Sequence, residues 1–217
     1  WTQSDLYNES PDVLRNVDKE VLTAGTRGIK TDVAWVGQGY DMQMNSVSTG
    51  YDAIAKSGDR PYIFSLYGWA GSQRYAGMWS GDQTGGRWEY IRFQIPTYIG
   101  SGLSGQPNIG SDIDSIYKGT ATIATRDVQW KVFTPMLYNM GGWDGSKADE
   151  LDGKTPWEFG GQYEAIQRFY LKLRAEMTPY NYTIAHDASL TGTPMLRAMV
   201  LEYPNDPYTY GKETQYQ

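Results

Sequence analysis

The sequence predicts an α/β fold, a parallel sheet covered by helices. Three observations carry that expectation. Short β-branched and aromatic runs alternate with amphipathic stretches five times along the 217 residues. The acids and polar aromatics gather just after the apolar runs, which in a barrel is the C-terminal face where sites are built. No short-period repeat or low-complexity tract interrupts the rhythm.

The elements follow in order. Ser10-Pro11-Asp12 is a helix start, with Ser as cap, Pro at the first helical position and Asp at the positive dipole end. Val13, Leu14, Val17, Val21 and Leu22 share one helical face, and Gly25 suits the stop. Residues 29–36 read as a buried strand broken by Gly37-Gln38-Gly39, and 42–55 as a helix. Asp59-Arg60-Pro61 turns the chain into a strand over 62–67, and a third, short strand over 75–79 closes at Asp82. Residues 85–98 carry Trp88, Ile91, Ile95 and Tyr98 near helical spacing, with Pro96 expected to make the end irregular. A fourth strand over 107–112 ends in an acid, 126–133 is a helix, 134–140 a fifth strand and 141–157 a loop. The longest helical pattern, 163–188, sets Ile166, Phe169, Tyr170, Leu173 and Met177 on one face, and Pro179 should interrupt it. Residues 195–203 read as a strand of a following domain.

Composition excludes several classes. A net charge of -6 argues against nucleic acid or an anionic membrane as partner. The absence of cysteine removes disulfides and thiolate chemistry, and a single histidine rules out a multi-histidine metal site and weakens any Ser-His-Asp arrangement. No apolar run is long enough to cross a bilayer. The chain starts at Trp1 without methionine, so the expectation is that the true N-terminus, with any targeting signal, lies upstream. At 217 residues the chain is short of the roughly 250 that a complete eight-stranded α/β barrel takes.

Two carboxylates stand out, Asp32 in Lys30-Thr31-Asp32-Val33-Ala34-Trp35 and Asp82 in Gly71-Ser72-Gln73-Arg74-Tyr75 through Trp79-Ser80-Gly81-Asp82. Each closes a strand among tryptophans, and acid/base cleavage of a sugar bond requires such a pair. Trp35, Trp69, Trp79 and Trp143 are candidate stacking rings, and some of them belong to the core. Asp112-Ile113-Asp114 has the form of a metal-binding DxD, with a loop turn as the plainer reading. His186 reads as a packed or surface histidine. The acids Asp144, Asp149, Glu150 and Asp152 lack the alternation of a calcium loop, and Gly102-Leu103-Ser104-Gly105 is not a nucleophile elbow because Gln106 follows.

Four passages together resemble glycoside hydrolase family 31, the retaining α-glucosidase and α-xylosidase group. They are Lys30-Thr31-Asp32, Arg60-Pro61-Tyr62 through Trp79-Ser80-Gly81-Asp82, Gly102-Leu103-Ser104-Gly105 to Ser111-Asp112-Ile113, and Met177-Thr178-Pro179-Tyr180-Asn181-Tyr182. The resemblance implies a partial (β/α)8 TIM barrel holding about strands 4 to 8, with the first strands and flanking β-domains outside this chain. Residues 1–194 would be the C-terminal part of the barrel, and 195–217 the start of a following β-domain. It implies Asp32 as nucleophile, Asp82 as acid/base, and Asp112 as acceptor for sugar hydroxyls, with Arg74 in the turn beside them.

The chain departs from the family at the sugar clamps. Where ordinary members carry an arginine on the fifth strand, Leu66 stands beside Tyr67; where they carry an arginine and a histidine after the eighth, Tyr138 and Met140 stand. Losing charged donors costs several kcal/mol unless the substrate has changed. The expected substrate is accordingly a terminal α-linked N-acetylgalactosamine, with an α-glucosidase, an α-glucosyl or isomaltosyl transglycosylase, or a non-catalytic carbohydrate-binding barrel as alternatives. No cofactor or metal is implied. The expected partners are a glycan substrate and the remaining segments of the same enzyme, and an extracellular substrate would favour secretion.

Overall fold

Three short strands need a helix on one face to bury their apolar side chains, and the sequence supplies it. The computed structural model describes residues 17–31, 40–66, 68–140 and 154–211. Residues 1–79 and 80–217 form two units.

In the first unit α1 (Val17–Ala24) buries Val17 and Val21, four residues apart on one face. It stops at Gly25, whose φ of 74° is a left-handed turn that glycine takes without strain. Strands β1 (Gly28–Thr31), β2 (Tyr62–Ser65) and β3 (Gly77–Trp79) run parallel, pairing Ile29 with Ile63, Thr31 with Ser65 and Ser65 with Met78. Helix α2 (Tyr40–Lys56) crosses between β1 and β2. At Gly50 it lies so close to the sheet that a Cβ would sit 3.2 Å from Ile29 Cδ1 and 3.3 Å from Ile63 Cδ1. Val47, Ala53 and Ile54 join Ile29 and Ile63 in one core cluster. Each such Val or Ile contributes about 1.5–3 kcal/mol by leaving water. Among the described residues the step from β2 to β3 carries a 3-10 turn, Ser72–Arg74, and no α-helix, in line with the two successive strands expected over 62–67 and 75–79.

The second unit contains α3 (Trp88–Leu103), β4 (Ile109–Gly110), α4 (Ala121–Lys131), α5 (Pro156–Phe159), α6 (Gly161–Glu176), α7 (Thr178–Thr191) and α8 (Met199–Glu202). Helix α3 runs unbroken past Pro96, where an irregular end was expected. The carbonyl that Pro96 leaves without a donor belongs to exposed Arg92, where solvent can replace it. Helices α4 and α6 pack through Ala124, Val128 and Val132 against Tyr170 and Leu171, and Gln167 Nε2 donates to Thr125 Oγ1 at 2.9 Å. The long pattern at 163–188 is two helices divided at Met177, with Pro179 in the first turn of α7, where its missing N–H costs nothing.

Two expected strands are not strands. Residues 134–140 make one parallel bridge, Asp112 to Tyr138. The Arg174 guanidinium takes the carbonyls of Val132, Thr134 and Pro135 at 2.7, 2.6 and 3.0 Å, and Pro135 has no N–H to offer a neighbour. Residues 195–203 contain the short helix α8 instead, held by Arg197 pairing with Glu202. The helix start at Ser10-Pro11-Asp12 lies outside the described residues, as do 32–36 of the first predicted strand. Among the described residues no helix is long and apolar enough to cross a membrane.

Candidate active site

Asp82 sits on a turn whose flanking residues Ser80 and Gln83 are both tied down. Ser80 N–H donates to Gly110 O at 3.1 Å, which anchors the turn beside β4. Gly81 follows with φ 88°, a conformation that would strain any side chain. Gln83 folds back, its Nε2 donating to Ser80 O at 2.7 Å, while its Oε1 accepts from Gln94 Nε2 at 3.3 Å. Tyr117 N–H and the Ser115 hydroxyl both donate to Gln83 O, and Gly85 N–H donates to Tyr117 O at 2.7 Å. Gly85 lies so close to the 112–117 loop that a Cβ there would stand 1.9 Å from Asp114 O. Asp82 itself is exposed, and its Oδ2 accepts from Tyr117 Oη at 3.1 Å.

The loop that braces this turn hangs from a buried ionic network. Lys131 and Asp127 on α4 are fully enclosed, with Nζ 2.5 Å from Oδ2. Lys131 Nζ also donates to Asp112 O at 2.7 Å and Tyr90 Oη at 3.3 Å, and Tyr90 Oη donates to Asp112 O at 2.5 Å. Asp127 accepts Asp114 N–H at 2.8 Å and Trp130 Nε1–H at 2.6 Å. Burial pushes the Lys131 ammonium down, opposed by Asp127. Burial, then the Asp127 charge, pushes the Tyr90 phenol well up. Lys154 closes the other side, donating to the carbonyls of Asp114, at 2.8 Å, and Ser115. Burial holds its ammonium down at about 8, against the pull of Asp114.

Asp114 is therefore spent on structure. Its Oδ1 accepts Gly86 N–H at 2.6 Å and its Oδ2 accepts Thr120 N–H at 2.7 Å, and burial raises its carboxyl above the usual range. These two backbone hydrogen bonds fit the plainer reading of Asp112-Ile113-Asp114 as a loop turn. Among the described residues no group of three or more His, Cys, Asp or Glu side chains is placed to hold a metal. His186 is exposed on α7 beside Asp187.

The other predicted site residues divide three ways. Asp32, Trp35, Tyr67 and Trp143 lie outside the described residues. Leu66 is partly exposed and donates its N–H to Thr31 O at 3.3 Å, which puts it beside the end of β1, one residue before Asp32. Trp69 is half exposed and Arg74 exposed, its guanidinium 5.5 Å from the Tyr75 ring centroid. In the second unit Asp112 is fully enclosed, Tyr138 bridges to it and packs its ring on Gly110, and Met140 is half-buried. Trp79 needs correction: at 1% exposure, with Lys30 Nζ 3.9 Å over its ring, it is a core ring carrying a cation rather than a stacking platform. A groove of about 340 Å³ lined by Pro96, Ile99, Leu103, Ala198, Met199 and Tyr210 holds none of the predicted site residues.

Sequence reasoning misses Tyr90, Tyr117, Asp127, Lys131 and Lys154. The four-residue spacing of Asp127 and Lys131 on one helix was the one available signal, and it reads equally as a surface pair.

A parallel α/β sheet with an acid on a glycine turn just past a strand is the design of a barrel that builds its site at strand ends. The description "Glycosyl hydrolases family 31 TIM-barrel domain" matches residues 4–184, and the chain belongs to that family. Alpha-glucosidase 2 of Bacillus thermoamyloliquefaciens is 36% identical over 155 residues, 71% of this chain and 19% of that protein. The dextranase of Flavobacterium johnsoniae, complexed with glucose, has a TM-score of 0.76 at 27% identity, over 91% of this chain and 28% of that one. The cycloalternan-degrading enzyme from Trueperella pyogenes in complex with covalent intermediate has a TM-score of 0.86 at 24% identity, over 98% of this chain and 32% of that one, a likeness of fold. The chain spans only 17% to 19% of the length of the first curated relatives it matches.

Proposed function

We propose that this chain is the catalytic-barrel portion of a retaining, exo-acting α-glycoside hydrolase whose sugar is α-linked glucose. The observation that carries the reading is Asp82: an exposed carboxyl on a turn fixed by six neighbouring hydrogen bonds, in the family's acid/base motif. Asp32 attacks the anomeric carbon as the glycosidic bond breaks, and the proton of Asp82 passes to the departing oxygen. Water then attacks the same carbon, gives its proton to Asp82 and releases Asp32. Retaining chemistry requires carboxyls about 5–5.5 Å apart. By motif, Leu66, Tyr67, Tyr138 and Met140 are the candidate sugar contacts, with Trp35, Trp69, Trp143 and Arg74 as further candidates. Asp112 has no exposed surface and would meet a sugar hydroxyl only after its loop shifts.

The sugar expected from the missing clamps, N-acetylgalactosamine, gives way to the glucosyl alternative. The relatives named above carry α-glucosidase and dextranase names, and their likeness supports glucose in this pocket. Aryl α-glycosides of glucose, xylose, galactose and N-acetylgalactosamine, tested on the complete enzyme, decide it. Glucose should be turned over fastest, and preference for the acetamido sugar would reverse the assignment. Asp82→Ala should abolish hydrolysis of unactivated α-glucosides, and turnover at the wild-type rate would remove Asp82 from its role.

A further inference from the structure

Tyr117 stands outside every role assigned so far, 35 residues along the chain from Asp82. Its hydroxyl reaches Asp82 Oδ2 at 3.1 Å. The contact rests on a rigid frame rather than on a loose side chain. The Tyr117 backbone both donates to Gln83 O, at 3.2 Å, and accepts from Gly85 N–H, at 2.7 Å, in a parallel bridge centred on Thr84. Ser115, two residues earlier, donates to Gln83 O from its hydroxyl, and Lys154 holds the Ser115 carbonyl from behind. The phenol is thus carried by the same backbone ladder that carries the acid.

We propose that Tyr117 is the positioning residue of the acid/base carboxyl, holding Asp82 Oδ2 so that Oδ1 is the oxygen that exchanges the proton with the glycosidic oxygen. The proposal rests on Asp82 having that role. When Asp82 is protonated on Oδ1, Oδ2 still accepts from Tyr117. When the proton has left for the sugar oxygen, the same hydrogen bond is made to a full carboxylate and becomes stronger. The hydroxyl therefore favours the state after proton donation over the state before it, which makes it useful in the transition state. It fixes the plane of the carboxyl as well, so the proton does not have to find its direction after the substrate arrives.

The test is Tyr117→Phe in the complete enzyme, read as the ratio of kcat/KM for phenyl α-glucoside to kcat/KM for α-glucosyl fluoride. Fluoride departs with little need of a proton, and phenolate needs one. The ratio is internal to each preparation, so a lower yield of folded protein cancels. Removing one exposed oxygen leaves the backbone ladder of Tyr117 in place. The ratio should fall about tenfold, the usual cost of losing one hydrogen bond to a charged group. An unchanged ratio, or equal losses on both substrates, overturns the proposal. Asp82→Ala runs alongside and should lower the ratio further. If it does not, the role of Asp82 fails instead. If the wild-type enzyme turns over neither glucoside, the glucosyl assignment fails, and the same pair of leaving groups on the sugar that it does cleave decides Tyr117.

Discussion

Lys131→Met should be among the most damaging single substitutions in this chain. Lys131 and Asp127 have no exposed surface, and the ammonium makes three contacts: Asp127 Oδ2 at 2.5 Å, Asp112 O at 2.7 Å and Tyr90 Oη at 3.3 Å. Methionine fills most of the volume but leaves the Asp127 carboxylate enclosed without its cation. Truncating one member of a buried pair costs about 3–5 kcal/mol, most of it the stranded charge. Asp127→Asn removes that charge and keeps an oxygen for Trp130 Nε1–H or Asp114 N–H. The double variant should therefore be more stable than the sum of the two single losses predicts, by about 2 kcal/mol. The assay is urea unfolding of the four proteins, followed by tryptophan fluorescence, since Trp130 reports on Asp127 directly. Strict additivity, or a Lys131→Met loss below about 1 kcal/mol, would refute the view that the pair is a mutually dependent buried unit.

Three further outcomes follow from the same geometry. Gly85→Ala places a Cβ 1.9 Å from the Asp114 carbonyl, a backbone atom, so the turn must move; a loss of about 3 kcal/mol in unfolding experiments should accompany a fall in kcat. Lys154 is held down at about 8 against 10.5 for the free side chain, so between those values the unfolded chain binds the extra proton and stability rises with pH; the wild type should gain on Lys154→Met in urea midpoints as pH climbs through that window, whereas a narrowing gap would mean that Asp114 stabilises the cation more than burial opposes it. Ile54→Ala, in the sealed face of α2, should cost about 2–5 kcal/mol by thermal unfolding, with little change in KM because the cluster lies among α1, α2 and the sheet.

The sequence was most readable where local chemistry and tertiary structure agree. Gly25 ends a helix because only a left-handed residue fits there, and Pro179 starts a new one because its missing N–H is harmless in a first turn. The Trp79-Ser80-Gly81-Asp82 turn was legible for the same reason: an apolar strand end, a residue free of a side chain, then an acid. It failed where distant groups decide. Residues 134–140 have the apolar pattern of a strand, but Arg174, about 40 residues on, takes the carbonyls that a neighbouring strand would need. Trp79 has the sequence setting of a sugar platform, but it is buried with Lys30 over its ring. Tyr117 carries no local sign of its partner, since only the bridge at Thr84 brings it to Asp82.

The ammonium of Lys131 grips the main chain at Asp112 from inside the protein, with no exposed surface of its own. A library confined to exposed positions around Asp82 would overlook the helix that holds this loop. Shortening the side chain at position 131 by one methylene would pull on that loop from within, without altering a single exposed group. The loop is tethered from a place no surface scan would reach.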